Sequence, residues 1–240
     1  MGTNALGQPV GEPVPGWTPR PLPAAPVLAG RYCRLERLSP GHAEELFEAD
    51  RADAQGVGWT YLSYGPFVDL ASYRRWVQQV CDAEDLFFYA VIDTDPVTAS
   101  EAGRAVGVLS YLRAQPEAGS IEVGHVLYSP VLQRRRGATE AQYLLMSHAF
   151  EDLGYRRYEW KCDALNGPSR AAAQRLGFSY EGTFRQATVV KGRNRDTAWY
   201  SIVDVEWPVV RDRLTAWLAP ANFEDRGRQR RPLRLAKSAR

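Results

Sequence analysis

Cysteine is scarce and scattered in this chain. Cys33, Cys81 and Cys162 lie far apart and show no CxxC spacing, which excludes a disulfide framework and gives no zinc-ligand pattern. The three thiols are expected as reduced packing residues, and no metal site is expected. Long apolar runs are missing too. Nowhere do about eighteen uncharged apolar residues follow one another, the length a membrane-spanning helix needs. The amino-terminal stretch MGTNALGQPVGEPVPGW has neither a basic region nor an apolar core of signal-peptide length. A cytoplasmic protein without a membrane partner is expected. Acidic residues are absent from 226–240 (RGRQRRPLRLAKSAR), which holds seven Lys/Arg. Taking these seven charges from a net charge of +2 leaves the body at −5, so the body is mildly acidic and the end basic. That end lacks interleaved aromatics to stack on bases and reads as a solvated, flexible tail, so nucleic acid is not an expected partner.

What is present is ordinary globular material. Apolar residues make up 45% of the 240 and aromatics 11%, enough to bury a sizeable core and to exclude disorder for the bulk. The length suits one large α/β domain. Seven prolines between Pro9 and Pro26 cannot sustain a helix or a central strand, so residues 1–26 are expected as an extended arm laid on the domain through Trp17 and Leu22. A strand over 27–38 is followed by a helix over 40–50 that opens at Ser39-Pro40. Residues 51–67 (RADAQGVGWTYLSYGPF) are aperiodic, aromatic and glycine-rich, hence a loop. Its Trp59, Tyr61 and Tyr64 suit either substrate binding or covering the core. Leu70, Tyr73, Trp76, Val77 and Val80 recur at helical spacing and predict a helix over 69–82.

Strands over 86–92, 105–112 and 120–128 predict an antiparallel meander. The period then turns helical, with Ala141, Leu144, Leu145, His148, Ala149 and Leu153 on one face and Gly154 as C-cap. A strand over 157–163, a short helix over 168–177 and a hairpin joined by KGRNR complete the order. The folded unit is expected over 27–218, with a basic tail over 219–240.

The segment most telling of chemistry joins strand 120–128 to the next helix through Gln133, Arg134, Arg135, Arg136, Gly137, Ala138 and Thr139. A strand, a short basic loop and a helix start leave unpaired N–H groups and the positive end of the helix dipole facing one point. Such a point suits an anion, and a diphosphate in particular.

With this loop stand Ala138–Ala141 (ATEA), Asn166-Gly167-Pro168-Ser169, Leu176-Gly177-Phe178 and Glu181-Gly182, then Arg185, Gly192, Asp196, Tyr200 and Glu206-Trp207. Together they resemble the GCN5-related N-acetyltransferase (GNAT) superfamily in its RimJ/RimL-like branch, over about residues 27–218. The chain departs from the family's phosphate loop, since Arg136 stands where glycine is usual. The resemblance implies an α/β (α+β) fold with a mixed, mostly antiparallel central sheet, flanked by helices and splayed at the acyl-CoA site. It also implies acetyl-CoA as cosubstrate and direct transfer to a primary amine, either a peptide amino terminus or a small molecule. A homodimer is common in this branch. A non-catalytic acyl-CoA-binding module with the same fold is the alternative.

By the same resemblance, acetyl-CoA lies in a gap where strand 120–128 splays from strand 157–163. Main-chain amides near Val126, Leu127 and Tyr128 bind the pantetheine, and the loop from Gln133 to Thr139 binds the diphosphate. Ser169 is matched to the proton donor for the leaving thiolate, although a serine at a helix start also suits backbone capping. Asn166 is placed as cap of the same helix and as a partner of the cofactor's amide arm. The branch's glutamate after the EG turn is replaced here by Thr188, so a base has to be sought elsewhere. Glu122 and His125 on the central strand are the candidates, expected on opposite faces because they are three residues apart. Asp196 is a candidate to orient the amine, and Trp199 or Tyr200 to line the pocket.

Overall fold

The computed structural model describes residues 2–99 and 103–233. A short pairing of β1 (Gly2–Thr3) with β2 (Pro9–Val10) opens the chain. The proline-rich arm then runs extended to Trp17, whose Nε1 donates to the Glu117 carbonyl at 2.9 Å. The Arg20 guanidinium lies 4.3 Å from the Trp17 ring centroid. Leu22, the second expected anchor, stays exposed.

The stretch expected as one strand is a tight antiparallel pair, β3 (Val27–Ala29) and β4 (Cys33–Arg37). Its turn is held from a distant element. The Glu140 carboxylate accepts the main-chain N–H groups of Arg31, Tyr32 and Cys33 at 2.9, 2.5 and 2.8 Å. The expected helix over 40–50 divides into a 3-10 turn (Pro40–His42) and α1 (Ala43–Asp50). Across the aromatic loop, α2 (Leu70–Cys81) starts where Asp69 accepts the Ser72 N–H and buries the face expected of it.

The meander follows as β5 (Leu86–Asp93), β6 (Arg104–Gln115) and β7 (Ser120–Tyr128). Next come α3 (Arg136–Ser147), widened to a π-turn over His148–Asp152, then β8 (Arg157–Asp163) and α4 (Gly167–Leu176). The hairpin of β9 (Ser179–Val190) and β10 (Arg193–Val203) is longer than expected. Its turn is only Lys191-Gly192, at φ of 50° and 73°, which fits the twist of a two-residue hairpin. α5 (Trp207–Leu218) is an element absent from the expected order; it buries Trp207, Val210, Leu214, Trp217 and Leu218.

Eight strands form one sheet in the order β3-β4-β5-β6-β7-β8-β10-β9, antiparallel throughout except between β7 and β8. One core lies between the sheet and α3, α4 and α5; a smaller one holds the inner faces of α1 and α2 against β5 and β6. Residues 219–233 fold back on the first core instead of forming a solvated tail. Phe223 and Leu233 are buried there, and the Asn222 Nδ2 donates to the Trp217 carbonyl at 2.9 Å. Burial of Phe223 stabilises the fold by about 2 kcal/mol. The rest of the basic end, residues 234–240, lies outside the described residues.

Two sheet irregularities position the site. The parallel ladder of β7 and β8 runs from Ser120 opposite Arg157 to Val123 opposite Trp160 and stops there, so Gly124–Tyr128 and Lys161–Asp163 diverge. Against β6, β7 carries a bulge between Gly124 and Leu127, where His125 takes a φ of 50°. An extra residue in one strand resets which face the following side chains meet.

Candidate active site

Past the last β7–β8 pair the strands enclose a cleft of about 350 Å³. Glu122, His125 and Val126 line it from β7 and Trp160, Lys161, Cys162 and Asp163 from β8. Asn166 and Ser169 close one end, and Thr188, Val189, Val190 and Arg195 of the hairpin another. Gly58, Tyr61, Leu62 and Ser63 of the aromatic loop complete the wall. That loop is fastened across the opening. The Tyr61 hydroxyl donates to the Leu165 carbonyl at 3.2 Å, and the Lys191 Nζ to the Trp59 carbonyl at 2.8 Å.

At the end of the cleft expected to hold the cofactor, the N-cap residue of α3 is Arg135, which supplies no capping side chain. The N–H groups of Arg136, Gly137 and Ala138 make no hydrogen bond to any described residue outside α3. They are orphan donors at the positive end of the helix. Gln133, Arg134 and Arg135 are exposed beside them, and Arg134 turns the chain at a φ of 61°. The Gln133 Nε2 donates to the Tyr128 carbonyl at 2.8 Å, tying the loop to the end of β7. The Arg136 guanidinium, by contrast, is buried in a bidentate pair with Asp95 at 2.6 and 2.5 Å, 4.0 Å from the Tyr32 ring centroid. The Thr139 hydroxyl is committed as well, accepting from Arg175 at 2.8 Å. Gly137 packs against β4, where an added Cβ would lie 3.3 Å from the Tyr32 carbonyl oxygen.

Ser169 sits in the first turn of α4, and the capping there is done by Asn166, whose Oδ1 accepts the Ser169 N–H at 3.1 Å. The Ser169 Oγ accepts from the Trp160 Nε1 at 3.0 Å, so its own O–H remains a donor, with the Cys162 sulfur as its neighbour. Beside it, burial pushes the Cys162 thiol up, against the lowering effect of the Ser169 hydrogen bond. Cys33, Cys81 and Cys162 are all free thiols.

Glu122 and His125, expected on opposite faces, line the same cleft because His125 itself sits in the bulge that follows Gly124, with its backbone at positive φ. Glu122 is 3% exposed. Arg113 reaches both its oxygens at 2.9 Å, and the Lys161 Nζ lies 2.8 Å from one. Lys161 also pairs with Glu159 at 2.8 Å. His125 packs against Phe88 and Tyr64, and its Nδ1 lies 3.1 Å from the Tyr64 hydroxyl. Burial pushes its imidazole down to about 4, with Arg113 and Arg195 acting in the same direction. His125 is therefore neutral at physiological pH.

The three aromatics of the loop separate. Trp59 is buried among Tyr64, Phe67, Tyr73 and Trp76 and serves the core. Tyr64 backs His125, and Tyr61 alone lines the cleft. Asp196 lies outside the lining; its carboxylate accepts the Gln186 N–H at 2.7 Å and the Asn194 Nδ2 at 3.0 Å, holding the irregular part of β9 to β10. Trp199 carries the Lys161 ammonium 3.7 Å from its ring centroid, on the strand beside the cleft, and Tyr200 is buried on the opposite face. Arg113, Trp160, Lys161 and Arg195 are cleft residues that the sequence reading did not single out. The alternation of RYEWKCD marks Trp160 and Lys161 as facing opposite ways, but only the β7–β8 register brings Lys161 against Glu122.

A family model for the acetyltransferase (GNAT) domain matches residues 33–179. A crystal structure of a GCN5-related N-acetyltransferase from Brucella melitensis is 44% identical, covers 92% of this chain and 97% of that one, and superposes with a TM-score of 0.87. A GNAT-family acetyltransferase structure from Chromobacterium violaceum is 40% identical over 84% of this chain and 98% of its own, with a TM-score of 0.76. YdaF of Bacillus subtilis (strain 168), named as a ribosomal N-acetyltransferase, is 26% identical over 182 residues, 73% of this chain and 93% of that protein. The family model covers more than half of the sequence and the related structures share the whole fold, so this chain belongs to the GNAT acetyltransferases.

Proposed function

We propose that the protein transfers the acetyl group of acetyl-CoA directly to a primary amine, a peptide amino terminus or a small molecule, with both bound at once in the cleft between β7 and β8. The observation that carries this reading is the state of Ser169. Its oxygen accepts the Trp160 N–H and its backbone N–H is held by Asn166, so the hydroxyl is fixed in the cleft wall with one O–H that rests toward the Cys162 sulfur and can turn to a thiolate in the cleft. Acetyl transfer needs a polarised thioester carbonyl, a neutral amine and a proton for the departing thiolate.

The residues present fit these needs. The orphan N–H groups of α3, with Arg134 and Arg135, suit the diphosphate. The unpaired edge of β7 around Val126–Tyr128 suits the pantetheine arm and the thioester oxygen. Ser169 protonates the leaving thiolate, and Asn166 fixes the serine. His125, kept neutral by burial, accepts a proton from the amine, with its Nδ1–H donated to Tyr64 and its Nε2 left as acceptor. Glu122 holds Arg113 and Lys161 at the mouth. Tyr61 faces the acceptor.

Acetyl-CoA mixed with a panel of amines, followed by thiol release, tests the proposal. Amine-dependent release that falls in Ser169→Ala supports it. Binding of coenzyme A without release for any amine would mark the chain as an acyl-CoA-binding module, the reading that Thr188 in place of a glutamate favours.

A further inference from the structure

The aromatic loop has two sides, and only one faces the cleft. On the other, between the end of α1 and the start of α2, lies a cavity of about 300 Å³ walled by Phe47, Trp59, Phe67 and Tyr73, with Asp50 set into it. That volume is at the lower end of those that hold small ligands. Asp50 is only 9% exposed. Its Oδ2 accepts the Tyr73 hydroxyl at 2.9 Å, and among the described residues no ion pair reaches it. Its acidic neighbour cannot share the role, because the Asp53 carboxylate is turned onto the Val57 and Gly58 N–H groups at 3.0 and 2.7 Å. Arg51, also on the wall, pairs with Glu48.

A buried carboxylate without a cation is costly, and burial pushes Asp50 up to about 7. The aromatic walls suit positive charge as well. Phe47, Trp59, Phe67 and Tyr73 pack on one another into a continuous aromatic wall beside Asp50. Ring faces attract ammonium groups, and the hydrocarbon part of an alkylamine fits an apolar wall. A metal ion is the poorer guest, since among the described residues no group of three His, Cys, Asp or Glu gathers to hold one.

We propose that this cavity is a binding site for a small organic ammonium ion, held by the Asp50 carboxylate and the aromatic wall of Phe47, Trp59, Phe67 and Tyr73, and separate from the acetyl-transfer cleft. The occupant would lie against Trp59, whose carbonyl grips Lys191 at the hairpin tip, so it also bears on the loop that roofs the cleft.

Calorimetric titration of the full chain with n-butylammonium chloride, and with n-butanol as the neutral isostere, tests this. Saturable binding near a Kd of about 1 mM for the cation, and none for the alcohol, is expected. Asp50→Asn keeps the Tyr73 hydrogen bond and is expected to weaken binding about tenfold or more. Phe67→Leu, measured beside it, is expected to weaken binding about threefold. The proposal is overturned if the cation does not saturate, if the alcohol binds equally, or if neither variant changes the affinity while Glu122→Gln abolishes it, which would place the cation in the cleft. None of these readouts uses acetyl transfer, so the proposal can fail while the enzymatic reading stands.

Discussion

At Ser169 two hydrogen bonds decide how one hydroxyl is held. A serine three residues into a helix after asparagine is ordinary capping material, yet here Asn166 caps and Trp160 fills the serine oxygen. Ser169→Ala is expected to lower kcat about tenfold to a hundredfold, since a thiol with a pKa near 8.5 leaves with only moderate help. The dissociation constant for coenzyme A should stay within about twofold. A fall in affinity with kcat intact would assign the serine to binding alone. His125 is expected to leave a different signature. Because burial holds its imidazole down at about 4, the rate profile from pH 5.5 to 8 should show no bend near 6.5. It should follow the deprotonation of the acceptor amine instead. An inflection near 6.5 that disappears in His125→Gln would contradict the burial of that ring.

The element that organises the site is α3, and its anchor is Glu140. This carboxylate, the acidic residue of the ATEA run, takes three main-chain N–H groups from the β3–β4 turn. Glu140→Ala leaves three donors without an acceptor and is expected to cost about 3 kcal/mol, read from the urea midpoint at unchanged slope. Loss under about 0.5 kcal/mol would show that water replaces the carboxylate.

Such long-range links also mark what the sequence could reveal. The meander, α2, α3, the glycine at the end of α4 and the final hairpin were legible, because period and capping residues act locally. The motifs from Asn166 to Gly182 marked the family. The β3–β4 turn was not legible, since its cause lies more than a hundred residues away. Nor was the bulge at His125, since register against β6 decides it, although Gly124 inside the strand was a local hint of an irregularity. α5 carried its signal in Trp207, Val210, Leu214, Trp217 and Leu218, which share one helical face. Its proximity to the last strand hid it.

Across the whole molecule, stability and pH meet at Asp50. Its carboxyl lies at about 7, raised first by burial and then by Asp53, against the Tyr73 hydrogen bond that lowers it. A carboxyl whose folded pKa exceeds its unfolded value binds protons more tightly in the folded state. Its charge penalises folding fully above pH 7, and the penalty fades as pH falls from 7 toward 4. Asp50→Asn is expected to stabilise the protein at pH 8 by on the order of a few kcal/mol, the gain vanishing near pH 4. A gain larger at pH 4.5 than at pH 8 would contradict this. The end of the chain belongs to the same scale. Deletion of residues 223–240 uncovers the packing of Phe223 on Tyr32 and Trp217 and is expected to lower the melting temperature by about 5 °C or more.

The central claim is that the open start of α3 and the gap between β7 and β8 hold coenzyme A. Titration calorimetry of coenzyme A tests it most directly, run on the wild type and on the Arg134→Ala/Arg135→Ala double variant at low and at physiological salt. The expected result is one site per chain, weakened about tenfold in the variant and by added salt. No saturable heat, or an affinity indifferent to both arginines and salt, would contradict the account.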